Sequence, residues 1–184
     1  MKKVFIDGSA GTTGLRIFDR LHRRTDIQLL TLPESERKLE ASRKKMLNEA
    51  DVVFLCLPDD AACEAALWVE NPDTVVLDTS TAHRTAPGWC YGFPELSPVQ
   101  EARLRQAKRI AVPGCHASGF IALVYPLVSA GLLTPDALLS CYSLTGYSGG
   151  GKKMIAEYRA PERSFLLNAP RQYALGQTHK HLKE

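Results

Sequence analysis

Short apolar runs alternate with amphipathic stretches along the first part of the chain. The runs KVFI, IQLLTL, DVVFLCL, TVVLD and RIAV each have the length of one strand, and DVVFLCL is apolar almost throughout, as in a strand buried on both faces. Between the runs, apolar residues recur at helical spacing, as at Leu15, Phe18 and Leu21. This alternation predicts right-handed βαβ units and a parallel sheet with helices on both faces.

The pattern changes at residue 115. Apolar spacing predicts one long helix from Cys115 to Gly131, then a strand LLSCYSL at residues 138–144, and then a glycine-rich loop, GYSGGG. We therefore predict an α/β chain, with a Rossmann-type parallel-sheet domain at residues 1–114 and the beginning of an α+β domain at residues 115–184.

Composition and charge exclude several classes of protein. The 184 residues are 45% hydrophobic and 23% charged, as in soluble globular proteins, and a net charge of +3 gives no indication of a nucleic-acid partner. No stretch of roughly 18 apolar residues appears, so no membrane span is expected. Five cysteines without a C-x-x-C pair indicate free thiols in a reducing cytoplasm. We interpret the basic run at residues 43–45 as a solvated helix face.

The segment IDGSAGTTG follows the first strand and opens the first helix. Its glycines are spaced G-x-x-G-x-x-G, so Gly8 would permit a tight turn and Gly11 would let the backbone approach a pyrophosphate at the helix N-terminus. The alternative is an ordinary strand-to-helix turn. The predicted cofactor-binding residues of this region are Gly8, Ser9, Ala10, Gly11, Thr12 and Thr13, together with Pro58 after the third strand.

The loop after the second strand bears on which nucleotide is bound. An NAD site usually places an acidic residue at the end of that strand, whereas this strand runs into ESERK. Ser35, Arg37 and Lys38 could receive a 2′-phosphate, which favours NADP. Because Glu34 and Glu36 lie in the same loop, a solvated polar loop remains the alternative.

The segment PGCHASG places Cys115 between a Pro-Gly turn and the predicted apolar helix. The N–H groups of a helix N-terminus favour a thiolate and could hold an oxyanion. Cys56, Cys63 and Cys141 lie within apolar patterns and are predicted to belong to the core, whereas Cys90 lies in a loop. Cys115 is therefore the predicted reactive thiol.

A nucleophilic thiolate requires a group for proton transfer, usually histidine. The segment HKH provides His179 and His181, although ordinary surface histidines are the alternative. A metal site needs more ligands than this pair offers, so no metal is predicted.

Several motifs occur in the order found in one enzyme family. DGSAGTTGLRI, DTSTAHR, YGFPEL, PGCHASG, SLTGYSGGGK and HKHL together resemble N-acetyl-gamma-glutamyl-phosphate reductase, most closely its short form, in which a histidine follows the cysteine. The resemblance covers essentially the whole chain. This family is related to aspartate-semialdehyde dehydrogenase, but PGCHASG does not resemble the cysteine motif of that enzyme.

The resemblance implies NADPH-dependent reduction of N-acetyl-L-glutamyl 5-phosphate to N-acetyl-L-glutamate 5-semialdehyde, in arginine biosynthesis, through a thioester on Cys115. His179 or His181 would be the acid/base group, with His179 favoured. The SGGGK segment would form an anion nest, with a flexible hairpin-type loop as the alternative. The substrate-binding residues that follow from this comparison are Arg84, Ser148, Gly149 and Lys152.

Two alternatives remain at this point: another acyl-phosphate or semialdehyde dehydrogenase, or a nucleotide-binding regulator with an unreactive cysteine. The resemblance also implies a small-molecule substrate and, at full length, a homo-oligomer. Members of the family are longer, so we expect a fragment or an incomplete gene product that lacks most of the mixed sheet of a catalytic domain. Residues 1–184 alone are then expected to bind NADPH, to turn over slowly, and to leave apolar surface uncovered after residue 131.

Overall fold

Six parallel strands form one sheet in the computed structural model, which describes residues 1–173, 175–176 and 178–184. The strands are β1 (Lys2–Asp7), β2 (Ile27–Leu30), β3 (Val52–Leu55), β4 (Val75–Asp78), β5 (Cys90–Tyr91) and β6 (Arg109–Ala111). Their order is β2-β1-β3-β4-β6-β5, and every neighbouring pair is parallel. The predicted Rossmann-type sheet is confirmed, with one additional strand, β5, in a segment predicted to be a loop.

Six α-helices accompany the sheet in the described part of the chain. They are α1 (Thr12–Leu21), α2 (Glu40–Glu49), α3 (Asp59–Leu67), α4 (Pro98–Gln106), α5 (Cys115–Ser129) and α6 (Gly151–Arg159). Among the described residues, no helix is long and apolar enough to cross a bilayer.

The hydrophobic core lies where the central strands pack against α2 and α3. Its buried members include Phe5, Leu47, Val53, Leu55, Ala65 and Val76. Alternate residues of a strand share one face, and Val52 and Phe54, on the other face of β3, are only half-buried. β3 is therefore buried on the face that carries Val53 and Leu55 and half-buried on the other, so the prediction of burial on both faces is correct for one face only.

The strand order changes direction between β1 and β3. The chain passes from β1 to β2 on one side and then crosses to β3 on the other, so the carboxyl ends of β1 and β3 flank the crevice in which open α/β sheets bind ligands. Because all six strands are parallel, the segments that follow them all begin at the same edge of the sheet. We call this the carboxyl edge.

Close packing explains the glycines that follow β1. Gly8 has a φ of +86°, and a Cβ at this position would overlap the carbonyl oxygen of Cys56 at the end of β3. A Cβ at Gly14 would overlap the carbonyl oxygen of Gly8 and lie 2.8 Å from the Cα of Ser9. The turn therefore lies flat against β3 and α1 at the carboxyl edge.

An ion pair between β1 and α2 corrects the interpretation of the basic run. Arg43 Nη2 donates to Asp7 Oδ2 at 2.9 Å, and only 12% and 5% of the two side chains is exposed. The Arg43 guanidinium also lies 4.7 Å from the centre of the Trp68 ring. Arg43 is therefore not solvated, because it neutralises a buried carboxylate that would be strongly destabilising alone.

Residues 138–144 form no strand, so that prediction is wrong. A strand needs a neighbour for its N–H and C=O groups, and no described segment pairs with this one. Leu138, Tyr142 and Leu144 are exposed there. The expected apolar surface after residue 131 is thus present, and Leu123 and Leu127 extend it onto α5.

The glycine-rich segment is helical. A 3₁₀ turn at Tyr147–Gly150 leads into α6, and Gly151 has a φ of +70°. The hairpin-type alternative is therefore wrong. Ser148 and Gly149 lie in the turn, Lys152 lies in the first turn of α6, and all three are exposed.

The five cysteines are all free but differ in exposure. Cys115, Cys63 and Cys141 are exposed, Cys56 is half-buried and Cys90 is buried in β5. The prediction that Cys63 and Cys141 belong to the core is wrong, since one lies on the outer side of α3 and the other lies in the segment that forms no strand. Burial raises the pKa of the Cys56 thiol to about 11.

Candidate active site at the carboxyl edge of the sheet

Cys115 is the first residue of α5, as the sequence predicts, and its side chain is exposed. Gly114 is the N-cap and offers no side chain to the first turn of the helix. The N–H groups at the start of α5 therefore lack a side-chain cap from this residue, and they are the groups that stabilise negative charge at a helix N-terminus.

Gly114 lies where two other segments approach the helix. A Cβ at this position would overlap Nε2 of His181 and lie 2.6 Å from Nη1 of Arg84. The φ of Gly114 is −72°, so the requirement for glycine here comes from space and not from backbone conformation. The absence of a side chain lets His181 and Arg84 pack directly against the start of α5.

Three imidazole rings lie close to one another near the start of α5. The His116 centroid lies 5.9 Å from His181 and 6.3 Å from His179, and those two rings are 4.5 Å apart. His116 Nδ1 lies 2.6 Å from the hydroxyl of Ser143, while His179 Nδ1 accepts from the backbone N–H of His181 at 3.3 Å. The two histidines predicted from HKH thus lie together, next to a third that follows the cysteine.

His181 is in the most enclosed environment of the three. Its Nδ1 is buried and has no hydrogen-bond partner among the described residues. Burial lowers the pKa of His181, and His179, Arg84 and His116 lower it further, while Glu184 opposes them. A lowered pKa keeps this imidazole neutral and therefore able to accept a proton.

Glu184 is a site residue that the sequence analysis missed. Its carboxylate, 1% exposed, accepts from Arg84 Nη1 at 2.6 Å, from the Tyr91 hydroxyl at 2.8 Å and from the Gly114 N–H at 2.9 Å. Burial and then this carboxylate raise the pKa of Tyr91 above its ordinary value. Glu184 therefore joins β5 and the loop after β4 to the start of α5. A single acid in a polar segment carries no signal of this role.

Arg84, which is predicted to bind substrate, pairs with residues of its own chain. Besides Glu184, it donates from Nε to the carbonyl oxygen of Val112 at 3.0 Å, and its side chain is 8% exposed. These contacts place the guanidinium beside the start of α5, and its role in binding substrate stays a prediction.

The motif DTSTAHR connects the parts of the site. Asp78, fully buried at the end of β4, accepts from the Ser80 hydroxyl at 2.6 Å and lies 2.6 Å from His83 Nδ1. Thr79 donates to the Leu55 carbonyl oxygen at 3.0 Å, and Arg84 donates to Val112, directly after β6, and to Glu184. Successive residues of this loop thus contact β3 and the start of α5.

The residues predicted to bind a nucleotide lie at the same edge. Gly11 is the N-cap of α1 without a side-chain cap, and Thr12 and Thr13 open that helix. Pro58 is the N-cap of α3. Residues 35, 37 and 38 are exposed in the loop after β2. Because the N-terminus of α1 lacks a side-chain cap, its N–H groups suit the pyrophosphate of a nucleotide.

Within the described residues, no group of three or more His, Cys, Asp or Glu side chains is arranged to hold a metal ion.

Comparison with known proteins identifies the family. Residues 3–104 match the family described as "Semialdehyde dehydrogenase, NAD binding domain", and residues 115–184 match "Semialdehyde dehydrogenase, dimerisation domain". The chain belongs to the semialdehyde dehydrogenase family.

Curated relatives point to a particular member of this family. The chain is 49% identical over 181 residues to N-acetyl-gamma-glutamyl-phosphate reductase 2 of Pseudomonas putida, and 50% identical over 182 residues to N-acetyl-gamma-glutamyl-phosphate reductase of Chelativorans sp.. A reductase of the same name from Rhizobium meliloti is 47% identical over 184 residues. The resemblance drawn from the motifs is thus confirmed. These matches cover 98–99% of this chain, which spans 58–59% of the length of the relatives.

Solved structures support the fold. Aspartate semialdehyde dehydrogenase II from Vibrio cholerae, complexed with ASA, matches with a TM-score of 0.66 at 17% identity, over 94% of this chain and 55% of that one. Aspartate semialdehyde dehydrogenase from Francisella tularensis matches with a TM-score of 0.62 at 14% identity, over 86% and 48% of the two chains. These identities are low, so the likeness concerns the fold.

The close approach at Gly114 predicts the effect of adding one methyl group. We expect Gly114→Ala to lower the free energy of unfolding by about 1–3 kcal/mol, as overpacking does, because His181 and Arg84 must move. Gly119→Ala is the matched control in the same helix, where a Cβ meets nothing within 4 Å. That substitution is expected to stabilise the protein by about 0.5–1 kcal/mol. Chemical unfolding of the full-length protein measures both, and equal effects would contradict the packing argument.

The position of Cys115 predicts its reactivity. We expect iodoacetamide to label Cys115 faster than the other four cysteines, because Cys115 begins α5 and helix N-termini favour negative charge on sulfur. Cys63 and Cys141 are matched controls, since both are also exposed. Peptide mapping after limited labelling measures the rates. If Cys63 and Cys141 react as fast as Cys115, exposure alone explains its reactivity.

Proposed function

We propose that this chain carries the nucleotide-binding and cysteine-bearing parts of an NADPH-dependent N-acetyl-gamma-glutamyl-phosphate reductase. Residues 1–114 are the NADP-binding domain in this proposal, and residues 115–184 belong to the catalytic and dimerisation domain of a cytoplasmic homo-oligomer. The observation that carries the proposal is the position of Cys115. Its thiol lies at a helix N-terminus, one residue after Gly114, against which His181 packs, at the edge of the sheet that also holds the glycine turn.

The first chemical step is the formation of a thioester. We assign the acid/base role to His181 in place of His179, because its ring packs against Gly114 at the start of α5. His181 accepts the Cys115 proton, and the thiolate attacks the acyl carbon of N-acetyl-L-glutamyl 5-phosphate, so that a C–S bond forms and phosphate leaves with the C–O bonding electrons. The N–H groups at the start of α5 stabilise the negative charge on the carbonyl oxygen. His179 orders this segment, because its Nδ1 accepts the backbone N–H of His181.

The second step releases the aldehyde. When bound, NADPH supplies the hydride that reduces the thioester carbon. Cys115 then leaves the resulting thiohemiacetal as the C–S bond breaks, His181 returns a proton to the sulfur, and N-acetyl-L-glutamate 5-semialdehyde is released. The Gly8–Thr13 turn and Pro58 hold the nucleotide, while Ser148, Gly149 and Lys152 contribute to binding of the substrate.

Oxidation of aldehydes in the reverse direction tests this function. We expect the full-length protein to reduce NADP in the presence of phosphate and N-acetylglutamate 5-semialdehyde, and to use aspartate semialdehyde much less. Cys115→Ser should remove the activity, while Cys63→Ser, at another exposed thiol, should retain it. A preference for another semialdehyde would indicate that the protein is another semialdehyde dehydrogenase. If the protein binds the nucleotide but oxidises no semialdehyde, a nucleotide-binding regulator with an unreactive cysteine would be favoured.

The loop after β2 supports NADP as the cofactor. Arg37 and Lys38 are exposed, whereas the Glu36 carboxylate accepts from the Ser42 hydroxyl at 2.8 Å and is half-buried. One of the two acids that would repel a 2′-phosphate is therefore occupied by its own chain, and two cations remain available to solvent.

This arrangement predicts an unequal effect on the two nucleotides. A charged hydrogen bond contributes roughly 1.5–3 kcal/mol, so we expect Arg37→Ala to weaken NADPH binding about tenfold or more and to leave NADH binding nearly unchanged. Lys45→Ala, at an exposed cation on α2, is the control. Fluorescence titration of the full-length protein measures both affinities. Equal weakening of NADPH and NADH would contradict the 2′-phosphate assignment.

A further inference from the structure

Lys180 lies between the two histidines of the HKH segment, and its side chain reaches the nucleotide-binding domain. Lys180 Nζ donates to Asp59 Oδ2 at 2.7 Å, across 121 positions of sequence. Asp59 is the first residue of α3 and directly follows Pro58. The contact therefore joins the histidine segment to a part of the crevice that the proposed function assigns to the nucleotide.

Asp59 is held in place by a second partner. Its Oδ1 accepts the backbone N–H of Thr81 at 3.0 Å, and its Oδ2 accepts the hydroxyl of Thr81 at 2.7 Å. Although partial burial acts in the opposite direction, the hydrogen bonds from Lys180 and Thr81 lower the pKa of Asp59 to about 2. The carboxylate is therefore charged throughout the neutral pH range, and the loop after β4 fixes its orientation.

The 3₁₀ turn at Lys180–Lys183 is held at both ends. Glu184 is bound at one end to Arg84, Tyr91 and Gly114, and Lys180 is bound at the other to Asp59. His181 lies between these contacts and packs against Gly114. The position of its ring relative to Cys115 therefore depends on both.

Resting on the proposed function, we propose that Asp59 and Lys180 are positioning residues, which hold His181 at the start of α5 and link its position to the nucleotide-binding crevice. The Lys180 side chain is 64% exposed, so the pair adds little to overall stability. The ion pair instead affects the rate through the position of His181, because a displacement of about 1 Å at a catalytic group can cost on the order of a hundredfold in rate.

Steady-state kinetics of the full-length protein provide the first test. We expect Asp59→Asn and Lys180→Met each to lower kcat about threefold to tenfold, with the KM for NADPH unchanged within about twofold. The double variant should be no slower than either single variant, and Lys180→Arg should restore most of the rate. The matched controls are Asp60→Asn and Lys183→Met, which remove a neighbouring exposed charge from the same elements. Losses in kcat that multiply in the double variant would overturn the proposal.

The titration of His181, followed by NMR, provides a test that does not depend on activity. The charged and titratable groups facing this ring are His179 and Glu184 from its own segment, His116 from α5, and Arg84 from the loop after β4. If the pair positions the ring, both Asp59→Asn and Lys180→Met release it toward water, and both raise the pKa of His181. If the pair acts only through charge, loss of the anion lowers this pKa and loss of the cation raises it.

The two tests separate the two proposals. A protein with no reductase activity on any semialdehyde, but with a His181 pKa that rises in both variants, would refute the proposed function and support the positioning role. A fully active protein whose kcat and His181 titration are unchanged in both variants, or whose His181 pKa shifts in opposite directions, would refute the positioning role alone.

Discussion

The parallel orientation of all six strands is the constraint on which the site depends. It brings to one edge of the sheet segments that are far apart in the sequence: the glycine turn after β1, Pro58 and Asp59 after β3, the DTSTAHR loop after β4, and Cys115 after β6. None of these segments forms a site by itself. Cys115 and the glycine turn, which are the nucleophile and the nucleotide-binding turn of the proposed function, lie at one edge because the strands before them run in the same direction.

At this edge, buried charged side chains lie around the start of α5. A glycine at position 114 admits His181 and Arg84, and the buried carboxylate of Glu184 balances the guanidinium of Arg84. A buried cation without such a partner would be costly. The same groups act on His181, whose pKa is lowered by burial and by Arg84 and raised by Glu184.

Periodicity and local motifs predicted the elements that depend on interactions between residues close together in the sequence. Apolar runs identified the parallel sheet, glycine spacing identified the turn after β1, and PGC identified the helix that begins at Cys115. The contacts of Glu184 with Arg84, and of Lys180 with Asp59, span about 100 residues or more and leave no trace in a single sequence. The strand predicted at residues 138–144 failed for a related reason: alternation suits a strand, but a strand forms only where a partner is present.

The central claim is that Cys115 becomes acylated during the reaction, and mass spectrometry of the intact full-length protein tests it most directly. After mixing with N-acetyl-L-glutamyl 5-phosphate in the absence of NADPH and acid quenching, the account predicts one N-acetylglutamyl group per chain, located by peptide mapping on Cys115 and lost on addition of NADPH. An adduct on Cys63 or Cys141, or turnover without any acyl adduct, would contradict it.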